Sequence, residues 1–93
     1  MAQATTHQTI VKLVQTGNDY TLRQLGVMVC CKKSPTTVRD LAAELNVSRP
    51  VISRVADRLE ELKFIRRIDD PDDRRSVLIE LTQAGKRFID GMN

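Results

Sequence analysis

The sequence predicts a mainly α-helical fold with one small β-hairpin, an α+β arrangement of about five helices and a two-stranded ribbon. Three observations lead there. Apolar residues recur at helical spacing in successive segments, most of them opened by a Thr or Ser. Two of these segments are separated by only a short turn. Directly after the second, two strand-like runs flank a polar loop rich in Asp.

Ninety-three residues suit one domain, 1–93, with one modest core. A hydrophobic share of 41% and a charged share of 29% are ordinary for a globular protein. No run approaches the ~18 consecutive apolar residues of a membrane span, so no membrane partner is expected. The opening Met-Ala-Gln-Ala-Thr-Thr-His has neither a basic flank nor an apolar run. No signal peptide is therefore expected, and a cytoplasmic location is.

The first helix is expected over Thr9 to Gln15, with Ile10, Val11, Leu13 and Val14 on it and Gly17-Asn18 as its stop. Thr21 opens the second, with Gln24 at the capping-box position. Leu22, Leu25, Met28 and Val29 share its apolar face, Lys32 and Lys33 suit its last turn, and Ser34-Pro35 ends it. Thr37 opens the third, with Asp40 three residues on and an apolar stripe of Val38, Leu41, Ala42 and Leu45. Asn46 stops it. Ser48 then caps a fourth helix, with Pro50 in its first turn, running to about Lys63. Phe64 to Ile68 and Val77 to Leu81 read as strands around the loop Asp69 to Arg75. Thr82 caps a last helix, Gln83 to about Met92.

Two short helices joined by a tight turn form a helix-turn-helix, and a hairpin directly after the second makes it a winged one. The recognition helix is then about 48–62 and the wing about 64–81. On a helical wheel Ile52, Val55, Leu59 and Leu62 point one way, with Ala56 at the margin. Pro50, Ser53, Arg54, Asp57 and Glu61 point the other, with Arg49 near the helix start. The exposed face is basic and small at its N-terminal half and acidic beyond. That order suits a helix entering the major groove N-terminus first, with its positive dipole end toward DNA.

Arg49 and Arg54 are candidates for base-edge contacts, because the guanidinium fork matches guanine O6 and N7. Ser53 could touch a base or a phosphate. Asp57-Arg58 and Glu60-Glu61 read as a salt-bridged, solvated surface. The wing loop holds four carboxylates, so it is no simple basic patch. Its Asp residues are expected to fix the hairpin by turn hydrogen bonds and to pair with one of Arg74 and Arg75. The other guanidinium is then preorganised for the minor groove. Arg66 and Arg67, on the preceding strand, could face neighbouring phosphates.

Net charge is +3. This is compatible with a polyanionic partner without demanding one. Cys30 and Cys31 are adjacent, which fits neither a disulfide framework nor a zinc-finger spacing, and core packing is their plainest reading. A thiol switch activated by Lys32 and Lys33 is the alternative. With a single histidine, His7, no metal site is expected, and no cofactor is implied.

The runs VSRPVISRVADRLEELKFIRRIDDPDDRRSV and LIELTQAGKRF, and above all the Asp-Pro-x-Asp-Arg-Arg wing followed by Leu-Thr-x-x-Gly, resemble the MarR family of winged-helix regulators. The resemblance covers roughly Tyr20 to Phe88. It implies a transcription regulator, usually a repressor, that binds pseudo-palindromic double-stranded DNA as a homodimer. It implies that Ser48, Arg49, Pro50, Ser53 and Arg54 belong to the reading helix, and Asp73, Arg74 and Arg75 to the wing tip, where an Asp–Arg pairing is typical.

Family members are usually longer, with long first and last helices that interlock. Here the expected first helix is short and the chain ends soon after the last begins, so the usual dimer interface and much of the ligand pocket are expected to be missing, leaving either a minimal monomer or a dimer built differently. A homodimer would use residues 5–16 and 83–93. Ile10, Val11, Val14, Phe88, Ile89 and Met92 are available either for that interface or to close the protomer's own core. Whether a small-molecule ligand exists is left open.

A winged-helix protein-interaction module is the main rival, since the same fold serves that purpose too. An RNA binder is poorly provided for, because Tyr20, Phe64 and Phe88 fall at no exposed reading position. An enzyme is not expected: there is no Gly-rich phosphate loop, no Ser/His/Asp set, and no paired carboxylates outside the wing or helix surface.

Overall fold

In a computed structural model that describes residues 5–91, five helices and three strands follow one another along the chain. They are α1 (Thr6–Gln15), α2 (Leu22–Cys30), β1 (Thr36–Thr37), α3 (Val38–Leu45), α4 (Arg49–Glu61), β2 (Ile65–Asp69), β3 (Val77–Leu81) and α5 (Gln83–Asp90). The expected helix-turn-helix is α3–α4, and the expected hairpin is β2–β3.

Most helix starts follow local chemistry. Thr21 accepts from the Gln24 N–H and Gln24 returns a bond to the Thr21 N–H, a reciprocal capping box. Thr37 and Thr82 accept in the same way from Asp40 and Gly85. The first helix begins earlier than expected, because Thr5 and Gln8 form another capping box. Ser48 holds the N-cap position of α4, but its hydroxyl makes no capping bond. Lys32 and Lys33 lie beyond the end of α2 rather than in its last turn.

Gly17 (φ 77°) follows the end of α1, and two further helix ends turn through left-handed residues that are not glycine. Asn46 (φ 56°) ends α3 as expected. Lys63 (φ 64°) ends α4 without the usual glycine. There the Lys63 N–H donates to Glu60 O and the Phe64 N–H to Leu59 O, the pair of bonds that defines a Schellman stop. That turn aims the chain straight into β2.

The sheet has the order β1-β3-β2, all antiparallel. Pairing of Ile65 with Leu81 and Asp69 with Val77 sets the hairpin register. The hairpin thus gains a third strand, β1, which pairs Thr36 with Ile79 and anchors the start of α3 to the wing's base. A strand this short leaves no alternation to read.

One core joins the layers: Val27, Met28 and Cys31 of the α2 region, Leu41 and Ala42 of α3, Ile52, Ala56 and Leu59 of α4, Ile65, Ile79 and Leu81 of the sheet, and Ile89 of α5. Ala56 is therefore central rather than marginal on α4. The buried stripe of α2 is also rotated from the expected one. Leu22 is 85% exposed and Val29 is exposed, whereas Val27, Met28 and Cys31 are buried. Gly26 lies against α3, where an added Cβ would come within 3.2 Å of the Leu45 side chain. Tyr20, Phe64 and Phe88 pack on one another with centroids 4.9–6.2 Å apart, tying α5 and the start of β2 to the turn before α2.

Candidate nucleic-acid interface

The fourth helix presents four distinct lines of residues, as its 3.6-residue turn requires. Ile52, Ala56 and Leu59 face the core. On one flank Asp57 and Glu60 face β2, where the Ser53 carbonyl also meets Arg67, and on the other Val51, Val55 and Arg58 face α2. Opposite the core, Pro50, Arg54 and Glu61 point outward and are exposed. Arg49, at the first helical position, is also exposed, and neither it nor Arg54 has an ion pair among the described residues. The Ser48 hydroxyl beside them makes no hydrogen bond among the described residues. The N-terminal half of the helix therefore offers two unpaired guanidinium groups and a free hydroxyl, with the helix dipole adding positive potential.

The flank toward the wing differs from expectation. Arg67 does not stand out toward solvent as a phosphate ligand would. Its Nη2 lies 2.8 Å from Asp57 Oδ1 and donates to the Ser53 carbonyl at 2.9 Å, and its Nη1 donates to Glu60 at 2.9 Å. Its side chain is only 27% exposed. The two carboxylates read as a solvated surface are thus the socket for a strand arginine, and Arg67 braces the wing against the reading helix. Arg66 is likewise engaged, pairing across the hairpin with Glu80, its register partner. Arg58 pairs with Glu61 at 3.0 Å, as the surface reading expected.

The wing tip is built by two turns. The Asp73 N–H donates to Asp70 O and the Ser76 N–H to Asp73 O. Side chains reinforce them: Asp70 Oδ1 accepts from the Asp72 N–H at 2.9 Å, and Asp73 Oδ1 from the Arg75 N–H at 3.0 Å. The carboxylates therefore do fix the hairpin through turn bonds. Among the described residues the expected Asp–Arg ion pair does not form, and Asp73 Oδ1 instead accepts from the backbone of Arg75. Among the described residues, both Arg74 and Arg75 are exposed and free of ion pairs.

Neither cysteine is poised for redox chemistry. Burial pushes the Cys31 thiol up to about 11, with hydrogen bonds from Thr36 only partly offsetting it. Cys30 is also raised, by burial and then by the nearby Glu44 carboxylate. Activation by Lys32 and Lys33 is not what the surroundings produce. No cluster of His, Cys, Asp or Glu among the described residues could hold a metal. No described helix is long and apolar enough to cross a membrane.

The family model described as MarR family matches residues 18–76. The chain belongs to the MarR family. It is 33% identical over 82 residues to the HTH-type transcriptional regulator YhbI of Bacillus subtilis, covering 87% of this chain and 53% of that protein. Over 58 residues it is 31% identical to the HTH-type transcriptional repressor NicR of Pseudomonas putida, covering 62% of this chain and 37% of NicR. A MarR-family regulator structure from Rhodococcus sp. RHA1 superposes with a TM-score of 0.77 at 30% identity, over 92% of this chain and 60% of that one. The chain spans about half the length of the curated relatives it matches. The fold is the winged helix-turn-helix of this family.

The MarR-like Leu-Thr-x-x-Gly run acquires a physical meaning here. The Thr82 hydroxyl donates to Lys63 O at 2.7 Å while accepting from the Gly85 N–H, and the Thr82 N–H donates to Phe64 O. A Cβ on Gly85 would overlap that same Phe64 carbonyl. The motif therefore clamps α5 onto the turn between α4 and β2, the joint that sets how the wing leaves the reading helix.

Proposed function

We propose that the chain is a transcription regulator that binds double-stranded DNA sequence-specifically. Helix α4 enters the major groove N-terminus first and the wing tip enters the minor groove. The observation that carries this reading is the distribution of unpaired arginines. Arg49 and Arg54 are uncompensated on the outward half of α4, and Arg74 and Arg75 at the wing tip, whereas Arg66 and Arg67 between them are tied to carboxylates. Family membership and the likeness to NicR favour a repressor.

Ser48, Arg49, Pro50, Ser53 and Arg54 form the major-groove surface in this proposal, and Arg74 and Arg75 the minor-groove one. Asp73 shapes the tip and makes no DNA contact of its own. Arg66 and Arg67 act as braces. The protein works in the cytoplasm, alongside DNA, and carries out no catalysis. A homodimer is supported by the exposed Ile10, Val11 and Val14 of α1. Ile89 is buried and Phe88 packs against the core, so they serve the protomer, and Met92 lies outside the described residues.

Selection of bound duplexes from a random pool tests the reading. The wild-type chain should enrich a defined motif. Arg54→Ala should lose about 1–3 kcal/mol on that motif and tolerate any base pair at one position. Failure of the wild-type chain to enrich any motif would favour a protein-interaction module instead.

A further inference from the structure

The flank of α4 away from the wing carries a feature that the reading above leaves unused. Between α2 and α4 runs an open groove of about 300 Å³. It is lined by the apolar Val51 and Val55, by Arg23, Arg54 and Arg58, and by Thr21 and Gln24. No carboxylate lines it among the described residues. Arg58 is steadied by Glu61, whereas Arg23 is exposed and has no hydrogen bond or ion pair among the described residues.

A helix lying in the major groove has a phosphate backbone on either side of it. The wing takes one side of α4. Groups on the opposite flank then meet the other backbone, where contacts position the protein without reading sequence. We propose that Arg23 holds a DNA backbone phosphate in this groove, a site that rests on the DNA-binding reading above. The geometry suits that ligand. A guanidinium fork offers paired N–H donors to phosphate oxygens. Arg54, on the rim shared with the outward face, joins the phosphate site to the base-reading line. Arg23 thereby makes α2 part of the DNA-binding surface, and nothing in the linear sequence connects it to residues on α4.

The test is the salt dependence of binding to a fluorescent duplex of mixed sequence, which requires no knowledge of the operator. Neutralising one phosphate contributes about 0.9 to the slope of log affinity against log salt. Arg23→Ala should therefore lower the slope by about 0.9 per protomer. It should weaken binding roughly eightfold at about 0.1 M salt, with the difference vanishing near 1 M. Arg23→Lys should keep the slope, since an ammonium also neutralises a phosphate. Arg87→Ala, which removes the same charge from exposed α5, should leave it unchanged.

A wild-type slope in Arg23→Ala, or an equal loss in Arg87→Ala, would overturn the phosphate site while leaving the DNA-binding reading intact. Absence of salt-dependent binding by the wild-type chain would remove the reading itself.

Discussion

Arg54 and Arg67 are the same residue type on neighbouring elements, yet their surroundings give them opposite work. Arg54 projects from the outward line of α4 with no ion pair among the described residues, so its charge is available to a ligand. Arg67 spends both terminal nitrogens on Asp57, Glu60 and the Ser53 carbonyl, so its charge is consumed inside the protein. The sequence places both arginines in a basic neighbourhood but cannot say which is paired, because the partners of Arg67 lie on a different element. The cysteines repeat the point. Adjacent lysines suggest an activated thiol, whereas burial decides the outcome: Cys31 rises from 9.0 to about 11. Only about one Cys31 side chain in a thousand is then a thiolate at pH 8, so it should alkylate far more slowly than a free thiol of ordinary pKa. Because the raised value belongs to the folded state, the unfolded chain ionises first. Cys31 should therefore lower stability as pH rises from 9.0 to about 11, and have no such effect below that window. A denaturant titration across this range, compared with Cys31→Ala, checks the sign: the variant should lose less stability. Rapid alkylation of Cys31 at pH 8 would contradict the burial argument.

Helix α4 and the wing are tied together by Arg67 and by the Thr82 clamp at the turn between them. Removing the Arg67 side chain should cost about 1–2 kcal/mol of stability, since three bonds are lost from partly exposed positions. It should weaken binding to the preferred sequence more than to mixed DNA, because the wing loses its register relative to α4. The salt slope should stay at the wild-type value, which distinguishes a brace from a phosphate ligand. A double-mutant cycle with Asp57→Asn should give a coupling of about 0.5–1 kcal/mol, and zero coupling would contradict the brace.

Element starts were legible wherever a cap is local. Thr21-x-x-Gln24, Thr37 and Thr82 all cap where the sequence says they should. Thr5-x-x-Gln8 carries the same signal, and it was hidden only by the polar residues that follow it. The left-handed Lys63 was not legible, because the stop is imposed by the Phe64 and Thr82 contacts rather than by a glycine. The buried face of α2 is not legible for a related reason. Cys31 and Gly26 pack against neighbours whose positions are set by tertiary structure, while Leu22 is left outside.

At the scale of the molecule, the core is concentrated in α2 to α5 and the sheet, and α1 contributes no buried residue to it. Ile10 and Val14 are 55% and 73% exposed, so the part of the fold that would pair protomers stands apart from the part that would read DNA. The helix-turn-helix and wing were legible in the sequence because their helical periodicity, strand alternation and turn chemistry are all local. The division of apolar residues between core and surface was not, because it depends on which helix faces meet. In the proposed function, unpaired arginines on α4 and at the wing tip give this winged helix its affinity for duplex DNA. Fluorescence anisotropy of a labelled duplex across a range of salt concentrations, with the wild-type chain and the Arg74→Ala/Arg75→Ala variant, puts that to the test. A linear fall of log affinity with log salt, and a slope smaller by about 1–2 per protomer in the variant at unchanged thermal stability, is the expected result. A wild-type affinity indifferent to salt, or a variant that binds as tightly as the wild type with the same slope, would contradict it.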